Sequence, residues 1–389
     1  MALDGLRGLA AAGVVIHHMV LVQSPATRDL YASDRAADLP LFGWLLTYTP
    51  LHLPWLGTAN VLVFFALSGF ALASPLVDRP VGRPIRYWLS RGVRLYVPAW
   101  ASLAFGLVIF FLAIRLSPDF ASTAFADRIE HLNASTVGRD ALLVPGHVSS
   151  LVNGVLWSLS WEVAFSCAVP LIALWLRHCE RKGVPTLGAI VPVALLLGAA
   201  VTVDVELLRQ AALYTATFLG GAGLAFAHRH AAANGGRRPL KPWETVTWSL
   251  GLPITLCAHW LVLPLAPTDV VLRCTEAITA LSAIATVWFV INAPTLRRLL
   301  ESRVALYAGT LSFSLYLTHA PVLEFVDAVS GHAPWATLVG ATASVPVAEL
   351  FRRVIEQPSQ SLARTIRGRT TRRHRAPTLP DSDIPSHAY

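Results

Sequence analysis

The first apolar segment of the chain carries two groups that could do chemistry, Arg7 and His18. If this segment is a helix, their separation of eleven residues places both side chains on one face, about 16 Å apart along the axis. His17 points about 100° away from that face. An arginine suits phosphate and a histidine suits proton transfer, so one helix face offers an anion site and a general base. A snorkelling arginine with two interfacial histidines would give the same pattern.

A second arginine group lies in the sequence RYWLSRGVRLYVPAW, which leads into the third apolar segment. Arg91 and Arg94 are three residues apart, so on a helix their guanidiniums project the same way and could each hold phosphate by two parallel hydrogen bonds. Ordinary positive charge beside the membrane explains Arg79 and Arg83 adequately. It explains the pair at 91 and 94 less well, so the sequence predicts phosphate binding there.

A carboxylate, Glu162, stands among apolar residues in the sequence WSLSWEVAF. An ionisable group inside a membrane span is costly unless it is paired or faces a cavity. We expect it to bond one imidazole nitrogen of His18, which would fix the tautomer and stabilise the imidazolium. Trp157 and Trp161, four residues apart, would form an aromatic wall beside it, with packing as the expected role of Trp161.

Two further ionisable groups lie near the end of the chain. His319 sits in the outer half of a late apolar segment and, with Trp157, is a candidate for contact with the substrate. Glu356 lies at helical spacing from Arg352 and Arg353, which predicts a structural ion pair at the membrane surface.

The composition excludes a single soluble domain. Hydrophobic residues make up 54% of the 389 residues, only 14% are charged, and the mean hydropathy is +0.54, whereas soluble domains are about one quarter charged. The net charge of +8 is scattered between apolar runs, so we expect no nucleic-acid partner. Four cysteines without CxxC spacing, no HExxH and no glycine-rich phosphate loop give no reason to expect a disulfide framework or a metal site.

The apolar runs predict an all-α fold, a polytopic transmembrane bundle of about ten spans. The predicted spans are 3–22, 57–77, 94–115, 150–176, 187–203, 211–228, 245–263, 271–293, 304–325 and 334–351. They belong to one transmembrane domain over residues 1–363, followed by a basic, disordered cytoplasmic tail over 364–389 that would be attracted to anionic lipid headgroups.

The positive charges predict the orientation. With a cytoplasmic N-terminus, 24 of the 31 arginines and lysines lie inside and seven outside, so both termini are expected in the cytoplasm of a multi-pass plasma-membrane protein. The first segment also resembles a signal peptide, with Ser24-Pro25-Ala26 as a candidate cleavage site. The chemistry expected of Arg7 and His18 requires that this segment be retained.

Six motifs in order resemble those of the acyltransferase-3 family of membrane O-acyltransferases. They are LDGLRGLAAAGVVIHH at 3–18, FFALSGFAL at 64–72, the arginine pair followed by Pro98, WSLSWEVAF at 157–165, SFSLYLTHAP at 312–321 and IEQP at 355–358. The resemblance runs from Leu3 to about Leu362. No segment resembles the soluble esterase-like domain that some relatives carry, so the acceptor is left open.

The resemblance implies a membrane enzyme that takes an acyl group, typically acetyl, from cytoplasmic acyl-CoA and transfers it to a hydroxyl of a carbohydrate, a glycan or a secondary metabolite such as a macrolide. Carried over to this chain, His18 would be catalytic, and Arg7, Arg91 and Arg94 would hold the donor. Direct transfer with His18 as general base and a covalent acyl-histidine relay fit the sequence equally.

A transporter or flippase is the alternative from another functional class. Buried histidine and glutamate side chains such as His18 and Glu162 also serve proton coupling. The paired inner arginines and the motif order favour the acyltransferase.

Overall fold

The computed structural model describes residues 1–24, 39–78, 84–117, 128, 131–233 and 239–368, and these contain helices and no strands. The α-helices are α1 (Ala2–Gln23), α2 (Leu41–Tyr48), α3 (Gly57–Asp78), α4 (Pro84–Leu116), α5 (Ala134–Leu142), α6 (Leu156–Arg181), α7 (Pro185–Thr202), α8 (Glu206–Ala233), α9 (Pro242–Leu256), α10 (Ala258–Val262), α11 (Asp269–Asn292), α12 (Pro294–Leu300), α13 (Arg303–Val329), α14 (Ala336–Phe351) and α15 (Gln357–Arg367). A 3₁₀-helix covers Pro50–Trp55, and a π-helical turn over Arg352–Glu356 joins α14 to α15. The prediction of an all-α fold is confirmed.

Helices occupy all ten of the predicted spans. Six of them, α1, α3, α4, α6, α7 and α11, are long and apolar enough to cross a membrane by length and composition. The predicted span at 245–263 is broken: α9 and the segment that follows it pass the same test together but are bent by 65°. Pro253, which cannot donate to the helical ladder, lies just before this bend.

The outer surface of the bundle is apolar, as lipid contact requires. Leu171, Leu195 and Leu250 are each at least 65% exposed, although large apolar side chains in soluble proteins are mostly covered. Phe165 and Phe218 stack on each other in the buried core. The bundle therefore buries an apolar core and also presents apolar residues outward.

Helix α1 packs against α13 along its length. A Cβ atom on Gly8 would lie only 2.6 Å from the backbone nitrogen of Gly309, so the two backbones touch there. His18 and His319 meet ten residues further along both helices. Since both contacts join residues 301 positions apart, α1 and α13 run parallel and in register.

Two boundaries differ from the sequence prediction. Helix α4 begins at Pro84, ten residues before the predicted span 94–115, so Arg91 and Arg94 lie on one helix. Helix α15 continues to Arg367, four residues into the segment 364–389 that the sequence predicts as the tail. Helix α15 packs on α4 and buries only the small side chains of Ser359 and Ala363, so it needs no apolar run. Residues 369–389 of the tail and residues 25–26 of the candidate cleavage site lie outside the described residues.

Candidate active site

A cavity of about 430 Å³ lies at the ends of the helices that carry the predicted arginines. Arg7 of α1 and the Arg91 and Arg94 pair of α4 all line it, as helical spacing predicts. Arg352 from the π-helical turn adds a fourth guanidinium. The structure thus brings together the three residues that the sequence predicts to hold a phosphate donor.

Arg91 is held in place within the cavity wall. It is 6% exposed, and its Nε and Nη2 atoms donate to the Ser166 hydroxyl at 3.2 and 2.9 Å. Nη2 also donates to Glu162 Oε1 at 3.4 Å, a long hydrogen bond within an ion pair. Ser166 and Glu162 are four residues apart on α6, so one face of that helix orients Arg91.

Arg7 and Arg94 form no hydrogen bond or ion pair within the described part of the chain. Arg94 feels the charges of Arg91, Glu162, Arg7 and Glu356 electrostatically. Two guanidiniums without a direct partner, beside a third that is fixed, form a site for an anion, because each can bind a negative ligand by charge-assisted hydrogen bonds.

The predicted ion pair of Glu356 with Arg352 and Arg353 is wrong. Glu356 is 6% exposed and lines the cavity, where it accepts hydrogen bonds from the Ser314 hydroxyl at 2.5 Å and Gln360 Nε2 at 2.7 Å. Arg352 and Arg353 both donate to Glu349 instead. The π-helical turn is the reason, since its wider i to i+5 ladder rotates Glu356 away from the α-helical i+4 position.

His18 and His319 contact each other outside the arginine cavity. His18 Nδ1 lies 2.9 Å from the Val14 carbonyl oxygen and 3.2 Å from His319 Nε2. His319 Nδ1 lies 2.9 Å from the Leu315 carbonyl oxygen. A carbonyl oxygen only accepts, so in the neutral pair both Nδ1 atoms carry the hydrogen.

This tautomer assignment leaves one basic atom available. His18 Nδ1–H is shared between Val14 and the lone pair of His319 Nε2. His18 Nε2 then has the free lone pair, and it makes no hydrogen bond with the described residues. By accepting from His18 Nδ1–H, His319 orients the His18 ring, as a partner of a general base must.

The expected contact between His18 and Glu162 is absent. Glu162 lies in the cavity against Arg91, and His18 does not line that cavity. Helix α1 packs along α13 rather than along α6, and a carboxylate is attracted more strongly by a guanidinium than by a neutral imidazole. His319 is the residue that the structure places against His18.

The two tryptophans of α6 lie towards the protein core. Trp161 is 7% exposed and packs on Phe165 and Tyr214, which confirms packing as its role. Trp157 also contacts the Tyr214 ring, with centroids 5.9 Å apart, and it does not line the cavity. Its predicted contact with a substrate stays a prediction.

Comparison with known families places the chain. A family model described as an acyltransferase domain, Acyl_transf_3, matches residues 2–353. The chain belongs to the acyltransferase-3 family. The match includes the four arginines of the cavity and both members of the histidine pair, and it ends just before Glu356. No curated protein and no solved structure matches the chain. Acyltransferase-3 membership and the apolar helices identify a membrane acyltransferase.

Sequence reasoning missed several residues of this acyltransferase-3 site. Ser166 could have been found, because it lies one turn after Glu162 on the same face. Ser158 and Tyr316 both line the cavity, but serine and tyrosine in apolar helices usually pack or bond to neighbouring helices, so neither stood out. Arg352 lines the cavity too, whereas its sequence spacing predicts an ion pair at the membrane surface.

Proposed function

We propose that this protein is a plasma-membrane O-acyltransferase that moves an acyl group, with acetyl the favoured one, from acyl-CoA to a hydroxyl of a carbohydrate, a glycan or a secondary metabolite. The observation that carries the proposal is the arginine cavity. Arg7 and Arg94 lack a direct partner among the described residues, and Arg91 is fixed beside them by Ser166.

The cavity residues fit the phosphate groups of coenzyme A. Guanidiniums from three elements, α1, α4 and the π-helical turn, line one space, which suits a group with several phosphates. The pantetheine arm is comparable in length to the distance of about 16 Å from Arg7 to His18 along α1. With phosphates at the arginines, the thioester would therefore reach the level of the histidine pair.

In the proposed reaction the acceptor hydroxyl gives its proton to His18 Nε2 and attacks the thioester carbonyl carbon. A C–O bond forms, the C–S bond breaks, and the proton passes from His18 to the thiolate sulfur, so no net proton is released. His319 accepts from His18 Nδ1–H throughout and stabilises the imidazolium. General-base assistance of this kind is worth about 10²–10⁴ in rate.

The proposed topology fits this route. With ten spans and both termini in the cytoplasm, Arg7, Arg91 and Arg94 lie at the cytoplasmic ends of their helices, where acyl-CoA is supplied. His18 and His319 lie towards the outer side, where a cell-envelope glycan would be reached. The excess of arginine and lysine in the inner connections supports this orientation.

The proposal is tested by the release of free CoA thiol from acetyl-CoA by the purified protein, with extracted envelope glycans or metabolites as acceptors. We expect release by the wild type, its loss in His18→Ala, and a raised donor KM in Arg94→Ala. Arg86→Ala is the matched control, because Arg86 is an exposed arginine on the same helix that does not line the cavity.

Three outcomes would count against parts of the proposal. No release with any acyl-CoA would favour the transporter. Release that survives His18→Ala would remove the histidine mechanism. Acyl label retained on wild-type protein in the absence of acceptor, and lost in His18→Ala, would replace direct transfer by the covalent relay.

A further inference from the structure

Tyr316 stands between the donor cavity and the histidine pair. It lines the cavity, and its ring centroid lies 6.0 Å from that of His319, one helical turn further along α13. Neither His18 nor His319 lines the cavity. A group that is held at the arginines and reacts at His18 must therefore come past this ring.

The Tyr316 side chain is fixed by two other helices. Ser158 of α6 donates its hydroxyl hydrogen to the Val155 carbonyl oxygen at 3.1 Å, so the Tyr316 hydroxyl is the donor in its 2.5 Å contact with Ser158. Phe64 of α3 packs edge-on against the ring, with centroids 5.7 Å apart. Ser158 and Phe64 line the cavity too.

The position of this ring decides which part of the donor it meets. Along α13 the cavity extends from Gly309 to Tyr316, seven residues or about 10 Å. The arginines lie at the Gly309 end, since Gly309 contacts Gly8, the neighbour of Arg7. A thioester brought to His18 lies one helical turn beyond Tyr316, so an acyl chain that extends back from it would lie against this ring.

We propose that Tyr316 sets the length of the acyl chain that the enzyme accepts. This inference rests on the proposed use of acyl-CoA. The phenol ring, held by Ser158 and Phe64, occupies the space into which a chain longer than acetyl or propionyl would extend. Tyr316 is a specificity residue here and takes no part in proton transfer.

The test compares kcat/KM for acetyl-, butyryl- and hexanoyl-CoA in the wild type, Tyr316→Ala and Tyr316→Phe. We expect Tyr316→Ala to raise the ratio of hexanoyl to acetyl turnover by about tenfold or more, because a pocket discriminates by about that factor for a single methylene. Tyr316→Phe keeps the ring and should keep the wild-type ratio. Tyr307→Ala is the control, an exposed tyrosine on the same helix that does not line the cavity.

The outcomes separate this inference from the proposed function. A wild type that releases CoA from no donor refutes both. A wild type that prefers acetyl-CoA, with a Tyr316→Ala variant that binds CoA normally and shows an unchanged chain-length profile, refutes the role of Tyr316 alone. If Tyr316→Ala does not fold, Tyr316→Leu keeps an apolar contact for Phe64 and is expected to shift the ratio in the same direction. An unchanged profile in a folded Tyr316→Leu would equally refute that role.

Discussion

Replacing Gly8 by alanine should uncouple the histidine pair without touching either ring. The added Cβ would lie 2.6 Å from the Gly309 nitrogen and 2.8 Å from the Ala308 Cβ. Ordinary contacts of this kind are about 3.5 Å or longer, so α1 must withdraw from α13 by about 1 Å. The 3.2 Å contact between His18 and His319 would open to about 4 Å, beyond hydrogen-bond range.

The expected result is a kcat for CoA release about 100-fold lower in Gly8→Ala, the loss typical of a 1 Å displacement of a catalytic group. The donor KM should change less than kcat, because only Arg7 of the three donor arginines moves with α1, whereas Arg91 and Arg94 lie on α4, which the substitution does not displace. Thermal unfolding of the purified protein checks that the fold is kept. Alanine is the better helix former by about 1 kcal/mol, so lower stability would itself report the clash.

The matched control is Gly251→Ala in α9, where an added Cβ has nothing within 4 Å. It should leave both kcat and stability at wild-type values or slightly raise the latter. A folded Gly8→Ala enzyme with full kcat would show that close contact between α1 and α13 does not position His18, and the role of His319 as its acceptor would be refuted.

Three further predictions concern charge. Glu162→Gln removes a negative charge that faces the donor phosphates, while the amide oxygen still accepts from Arg91, so the donor KM should fall about threefold in the CoA-release assay. Arg352→Ala removes a guanidinium that lines the cavity and should raise the donor KM about tenfold, whereas the exposed Arg353→Ala should not. Burial lowers the pKa of His52 from 6.5 to about 3; unfolding therefore takes up a proton below pH 6.5, and stability should fall by about 2 kcal/mol between pH 7.5 and pH 5, measured by chemical unfolding.

Each of these predictions has a contrary outcome. A Glu162→Gln enzyme with a kcat lowered about 100-fold at unchanged donor KM would return Glu162 to the catalytic role expected from the sequence. Equal KM changes in Arg352→Ala and Arg353→Ala would show that overall charge, and not the cavity, attracts the donor. The acid sensitivity should be smaller in His52→Phe, and an unchanged profile would assign it to another group.

Local spacing was enough to predict that Arg91 and Arg94 face the same space. Arg91 and Arg94 lie one helical turn apart, and a helix fixes which way both point before any tertiary contact forms. The presence of Arg7 in the same cavity follows from its place at the inner end of α1. Helix periodicity and apolar length likewise predicted a helix at each span position.

Partners on different helices could not be predicted in the same way. The sequence indicates that Glu162 and His18 both need a partner, but it does not say that α1 lies along α13. The glycines at 8 and 309 are a signal of that contact, since small residues allow helices in membranes to approach closely, but they identify a partner only when considered together. The π-helical turn that moves Glu356 into the cavity leaves no recognisable pattern in the sequence.

The in-register pairing of α1 with α13 has a consequence for how the protein is made. Helix α1 leaves the ribosome before α13, and His319 follows His18 by 301 residues, which takes about 15 to 60 s at ordinary rates of synthesis. During that interval His18, the proposed general base, has no His319 side chain to accept its Nδ1–H. On the proposed mechanism, the nascent chain is therefore inert as a transferase until α13 has been inserted beside α1.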